Sequence, residues 1–223
     1  MRQLLLSSAF ALTIPAPTLG CDLALALAVD VSGSVDPSEY ETQMQGLADA
    51  LRDPVVSEAL VRAEAALIVI QWTGSSRQEV SLPWTQIRTF DDIEAFAVAI
   101  ETTPRRWRNF STAIGEALEF AMAQFATSPP CKRKVIDVSG DGPSNEGTEP
   151  QDIHADLRAL KVTVNALAIE ASVSDLTAYF WENVITGEGA FVATANSFED
   201  YPDRIRQKLR RETTRQLAGL GRE

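Results

Sequence analysis

Residues 23–29 read LALALAV, seven apolar side chains in a row, and Asp30 follows at once. A strand with one face in water alternates apolar and polar residues. An unbroken apolar run of this length fits a strand covered on both faces, as in a parallel sheet between two layers of helices. The segments AALIVIQW (65–72), KVIDVS (134–139), VTVNALAI (162–169) and GAFVAT (189–194) read as further strands, and QEVSLPW (78–84) after TGSSR as a hairpin partner. Between them lie helical patterns. Asp36 as N-cap, Pro37 at the first position and Glu39 three residues on open one, with Tyr40, Met44, Leu47, Ala48 and Leu51 at helical spacing. Others are expected over 91–102, on the stripe Ile114, Ala117, Leu118, Ala121 and Phe125, and over 150–161, 174–184 and 197–215, the last burying Ile205 and Leu209. This alternation predicts an α/β fold: a doubly wound, mostly parallel sheet with one antiparallel edge strand and helices on both faces.

At 223 residues, with 45% hydrophobic and 23% charged residues, the chain can bury one sizeable core. Arg2 precedes LLLSSAFALTI, and PAPTLG precedes Cys21, so residues 1–20 read as an export signal too short to span a membrane. The expected organisation is that signal, one domain over 21–217 and a tail over 218–223. The expected location is periplasmic or secreted, with no membrane span in the mature chain. Cys21 and Cys131 are the two cysteines, an even count that suggests a disulfide; TLGC also loosely matches a lipidation signal, which would place a lipid anchor on Cys21. The net charge of −11 argues against a nucleic-acid partner.

Two phrases nearly repeat: VDVSGS at 29–34 and IDVSGD at 136–141. Nine positions separate Cys21 from Asp30, six separate Cys131 from Asp137, and ten separate Cys131 from Asp141. If the strands start level, Asp30 ends level with Asp141, and Asp137 lies inside the sheet. In an extended segment alternate residues face one way, so Asp30, Ser32 and Ser34 converge, with Gly33 allowing the chain to bend. A carboxylate and two hydroxyls suit a hard cation bound through oxygen.

DVSGS, TAIGEAL and GDG, in that order, resemble the three pieces of a von Willebrand factor type A domain with its metal-ion-dependent adhesion site. The VIDVSGDGP phrase is similar to a bacterial exported branch of that family. The resemblance implies a metal held by Asp30, Ser32, Ser34, Thr112 and Asp141. Ser111 stands beside Thr112, so either hydroxyl can serve there. It also implies that the first and fourth strands are parallel neighbours, which brings Cys21 and Cys131 within disulfide range. Two carboxylates and three hydroxyls match Mg²⁺ or Mn²⁺ better than Ca²⁺, and a single histidine, His154, argues against zinc. The implied function is adhesion: the metal accepts an acidic side chain from a partner protein, and the chain is not an enzyme.

The loop 104–111 carries Arg105, Arg106, Trp107 and Arg108, read either as a ligand-facing rim or as a solvated loop with Trp107 tucked into the core. Asp137 reads as structural, His154 as a surface residue, and Trp72, Trp84 and Trp181 as core or rim packing. A phosphohydrolase with Asp30 as nucleophile is the rival, weakened because Ser32 stands where such enzymes carry a second, acid-donating Asp. No GxSxG elbow or GxGxxG turn supports a serine hydrolase or a dinucleotide enzyme.

Overall fold

The computed structural model describes residues 21–219, with side chains through residue 213. The expected export signal, and the end of the expected tail at 220–223, lie outside the described residues. The chain runs β1 (Cys21–Asp30), α1 (Pro37–Arg52), α2 (Pro54–Arg62), β2 (Ala66–Trp72), β3 (Gln78–Gln86), α3 (Phe90–Glu101), α4 (Ile114–Gln124) and β4 (Cys131–Gly140). A 3₁₀ turn (Pro150–Ile153) then leads into α5 (His154–Ala159), β5 (Val162–Ile169), α6 (Leu176–Asn183), β6 (Val192–Ala195) and α7 (Tyr201–Gly219). The sheet order is β3-β2-β1-β4-β5-β6, parallel except for β3 at one edge. This is the expected doubly wound α/β architecture.

The run LALALAV is divided by the pleat. Leu23, Leu25, Leu27 and Val29 join the core under α1, α2, α3 and α7; Ala24, Ala26 and Ala28 join the core under α4, α5 and α6. Large side chains thus fill one layer, while small ones let the other pack close. Each fully buried leucine contributes roughly 1.5–3 kcal/mol relative to exposure.

Cys21 pairs in register with Cys131, their Cα atoms 4.4 Å apart, and the two form a disulfide. The same register sets Leu27 beside Asp137 and Val29 beside Ser139. Asp30 therefore ends its strand level with the end of β4, and Asp137 is interior, as the residue counting required. Asp137 is structural: it is buried against the ammonium of Lys208 on α7, 2.5 Å away.

Several elements differ from the sequence reading. Helix α2 was not foreseen, although Asp53-Pro54 repeats the Asp36-Pro37 start; the Asp53 carboxylate accepts from the Val55 and Val56 amides. Helix α7 begins at Tyr201 rather than 197 and continues through Gly219. Trp72 is fully buried and Trp84 packs on Phe125, but Trp181 is 61% exposed because it lies on the outer side of α6. His154 is half-buried rather than on the surface, its Nε2 3.2 Å from the Val184 carbonyl. Among the described residues no helix is long and apolar enough to cross a membrane.

Candidate metal centre

β1 delivers Asp30 fully buried at its C-terminal end. The Ser32 amide donates to Asp30 Oδ1 at 2.7 Å, folding the following turn back over the carboxylate. Ser32 Oγ and Ser34 Oγ lie 3.2 Å apart, and Ser34 Oγ donates to Asp141 Oδ1 at 2.6 Å. Asp141 directly follows β4. The glycine before it lets the strand end lie close to its neighbours, since a Cβ on Gly140 would stand 3.2 Å from Asp30 Oδ2 and 3.4 Å from Trp72 and Phe180. Four of the five expected ligands therefore form one continuous string of side chains, Asp30–Ser32–Ser34–Asp141.

Thr112 comes from the loop before α4 and is buried, whereas its neighbour Ser111 is exposed. Backbone contacts tie its segment to both others. The Gly33 amide, between the two serines, donates to the Phe110 carbonyl at 2.8 Å. The Asn145 side chain accepts from the Thr112 amide while the Asn145 amide donates to the Thr112 carbonyl, both at 2.9 Å. The Thr112 hydroxyl makes no hydrogen bond to the other four residues. Three separated stretches thus meet at one rim of the sheet, at the C-terminal ends of β1 and β4 beside the point where strand order reverses.

A family model described as a protein of unknown function, DUF1194, matches residues 20–217. The chain belongs to the DUF1194 family. No curated protein matches it by sequence. Its fold is that of a von Willebrand factor type A domain. Proximal thread matrix protein 1 from the mussel byssus superposes with a TM-score of 0.67 at 21% identity, covering 85% of this chain and 47% of its own. A second structure of that protein, with a zinc-occupied MIDAS motif, gives 0.64 at 17%, covering 87% and 46%. The pilus adhesin SpaC from Lactobacillus rhamnosus GG gives 0.65 at 12% identity, covering 86% and 30%. A von Willebrand factor type A protein from Catenulispora acidiphila gives 0.56 at 17%, covering 86% and 42%. The DUF1194 chain spans less than half the length of each of these chains.

The electrostatics of the DUF1194 site are those of carboxylates short of positive charge. Burial, and then the charge of Asp141, push Asp30 up to about 7 despite the Ser32 hydrogen bonds. Asp141 is also raised, by burial, against the pull of the Ser34 hydroxyl. Asp30 Oδ2 is buried with no hydrogen bond of good geometry. Among the described residues no three His, Cys, Asp or Glu side chains gather as a metal site. A cation here would rely on hydroxyls as well as the two carboxylates, and the donors present fit a hard, oxygen-seeking ion.

The loop 104–111 divides. Arg105 turns inward, its Nη2 donating to the Val31 and Ser32 carbonyls at 3.0 and 2.8 Å, so it braces the Asp30 turn. Trp107 packs against the core. Arg106 and Arg108 remain exposed, with Arg106 paired to Glu79 at 2.8 Å. The exposed aromatic beside the site is Phe110, overlooked in the sequence, with the Arg77 guanidinium 3.9 Å above its ring. A single aromatic in a polar loop carries little signal beside the larger Trp107.

Proposed function

We propose that this DUF1194 domain is an exported, metal-dependent protein-binding module. Asp30, Ser32, Ser34, Thr112 and Asp141 would hold one Mg²⁺ or Mn²⁺ ion. Thr112 is preferred over Ser111 because it is the buried member of the pair. The observation that carries this reading is the string Asp30–Ser32–Ser34–Asp141, two carboxylates sunk beside one another with hydroxyls between them; among the described residues neither forms an ion pair, and the positive charge that reaches them is that of Arg105, whose guanidinium is spent on the Val31 and Ser32 carbonyls. Burying such groups uncompensated is costly, and a divalent cation supplies the missing charge.

The roles follow from the donors. Asp30 and Asp141 contribute charge, and Ser32, Ser34 and Thr112 contribute neutral lone pairs. Two carboxylates only balance a divalent ion, and three neutral hydroxyls add no further charge. The bound cation would therefore supply an electrophilic centre for an acidic side chain of a partner protein. Arg105 keeps the Asp30 turn in place, while Arg106, Arg108 and Phe110 stand where a partner would approach. The adhesin and matrix-protein likenesses support a binding role in preference to an enzymatic one. The Cys21–Cys131 bond suits an oxidising compartment, and a cleaved signal ending before Cys21 accounts for it better than a lipid on that sulfur.

Calorimetric titration with Mg²⁺ and Mn²⁺ tests the reading. The wild-type domain is expected to bind one equivalent and Asp30→Ala none. Absence of binding to the wild type would leave only the fold, and hydrolysis of an aryl phosphate abolished by Asp30→Asn would favour the phosphohydrolase instead.

A further inference from the structure

The opposite pole of the sheet carries a second constellation. Around the N-terminal ends of β4 and β5 lies a recess of about 1180 Å³, lined by Lys132, Arg133 and Lys134 from β4 and by Arg158 and Lys161 around the end of α5. Acidic residues outnumber basic ones 31 to 20 in the whole chain, so an arbitrary recess should be lined mainly by carboxylates. This one has five basic side chains against three acidic ones.

Two of those acids are already matched. Asp22 pairs with Lys132 at 2.8 Å, and Glu212 with the buried Lys208 at 2.8 Å. The third, Glu188, is exposed. Among the described residues Lys134, Arg158 and Lys161 form no ion pair. Lys134 Nζ lies 5.9 Å from the Phe125 ring, and Arg158 Nη1 donates to Thr186 Oγ1 at 3.1 Å, which anchors its guanidinium at the far wall. That wall is the turn 186–189, held tight on β5 because Gly187, at φ +98°, has no Cβ to meet Thr163 Cα at 2.9 Å. Thr163 and Thr186 add hydroxyl donors to the lining.

Three cations around one recess repel each other, and a multiply charged oxyanion relieves that repulsion better than a single carboxylate. Arginine offers a fork for two phosphate oxygens and lysine a point charge. The volume exceeds what a lone phosphate fills and suits one carried on a larger body. We propose that this recess binds a phosphate-bearing ligand, with Lys134, Arg158 and Lys161 as its charge partners. The phosphate could belong to a soluble molecule or to a phospholipid headgroup, and the site lies at the end of the sheet away from the metal ligands.

The test uses the purified domain in EDTA, so that no anion binds through a metal ion. Pyrophosphate is titrated by calorimetry, and co-sedimentation is measured with phosphatidylglycerol and with phosphatidylcholine vesicles. Pyrophosphate binding would identify a soluble phosphate; capture by phosphatidylglycerol vesicles alone would identify the headgroup. In either case the double variant Lys134→Gln/Lys161→Gln should weaken binding at least about tenfold, as loss of charge-assisted hydrogen bonds implies, while Asp30→Ala binds like the wild type. Arg158→Gln, a change at an exposed side chain, is expected to weaken binding severalfold and serves if the double variant fails to fold. Binding of neither probe, or equal binding by the neutralised variants, would overturn the proposal.

Discussion

Asp30 and Asp137 occupy almost the same five-letter phrase, and the molecule treats them in opposite ways. Both are fully buried and both are pushed up to about 7, each chiefly by that burial and then by a neighbouring carboxylate, Asp141 for one and Glu212 for the other. Asp137 and Glu212 share the ammonium of Lys208, which burial alone would lower but which the two carboxylates hold above its ordinary value. Asp30 and Asp141 have only hydroxyls between them. Charge is balanced by Lys208 at one place, and under the proposed function an outside cation would balance it at the other. Strand register explains the difference: Asp137 sits three residues short of the strand end, under α7, whereas Asp30 ends its strand where loops converge.

The largest effect should come from removing the internal counter-charge. Lys208→Met leaves two buried carboxylates facing each other and should cost roughly 3–5 kcal/mol, read as a lower midpoint in denaturant. Asp30→Asn should do the reverse to the metal-free protein, leaving stability unchanged or improved, while lowering Mg²⁺ affinity roughly a hundredfold or more. If Asp30→Asn destabilised the apo-protein as much as Lys208→Met, the contrast between the two aspartates would fail.

Acidity sharpens the same contrast. The folded pKa of Asp30 lies above its unfolded value, so its contribution to apo-protein stability is complete at low pH and is lost as pH rises through about 7. The cation competes with that proton. Mg²⁺ affinity should therefore rise up to about tenfold per pH unit below 7 and level off above it. Mg²⁺ should also raise the melting temperature more above that point than below it. Affinity independent of pH across this window would mean that the ion displaces no proton from Asp30 there. Ser34→Ala should have the smallest effect, about two- to tenfold in affinity, since it removes one neutral donor and the hydrogen bond to Asp141.

How much of this was legible in the chain depended on the range of the interaction. The unbroken apolar run in β1 and the alternation of strands with capped helices are local signals, and they define the sheet. Counting from the cysteines separated Asp141 from Asp137, because the side-chain period of a strand makes register arithmetic reliable. Lys208 was not legible. Four residues from Glu212 on a polar-looking helix, it reads as a solvated surface pair, and only the packing of α7 over β4 and β5 buries it. Helix α2 was overlooked for a different reason: Asp53 ends α1 and begins α2, so no linker separates the two. In the loop 104–111 it is Trp107 that turns inward and Phe110 that stays at the surface, an order that side-chain size alone does not signal.

A crystal of the domain soaked in Mn²⁺, with anomalous diffraction recorded at the manganese edge, addresses the metal site most directly. A single strong peak among Asp30, Ser32, Ser34, Thr112 and Asp141 is the expected result, about 2.1 Å from each oxygen that binds it directly and with ordered water bridging to any that does not. A peak lodged elsewhere, or none at saturating Mn²⁺ with Asp30 and Asp141 still joined through Ser32 and Ser34, would contradict it.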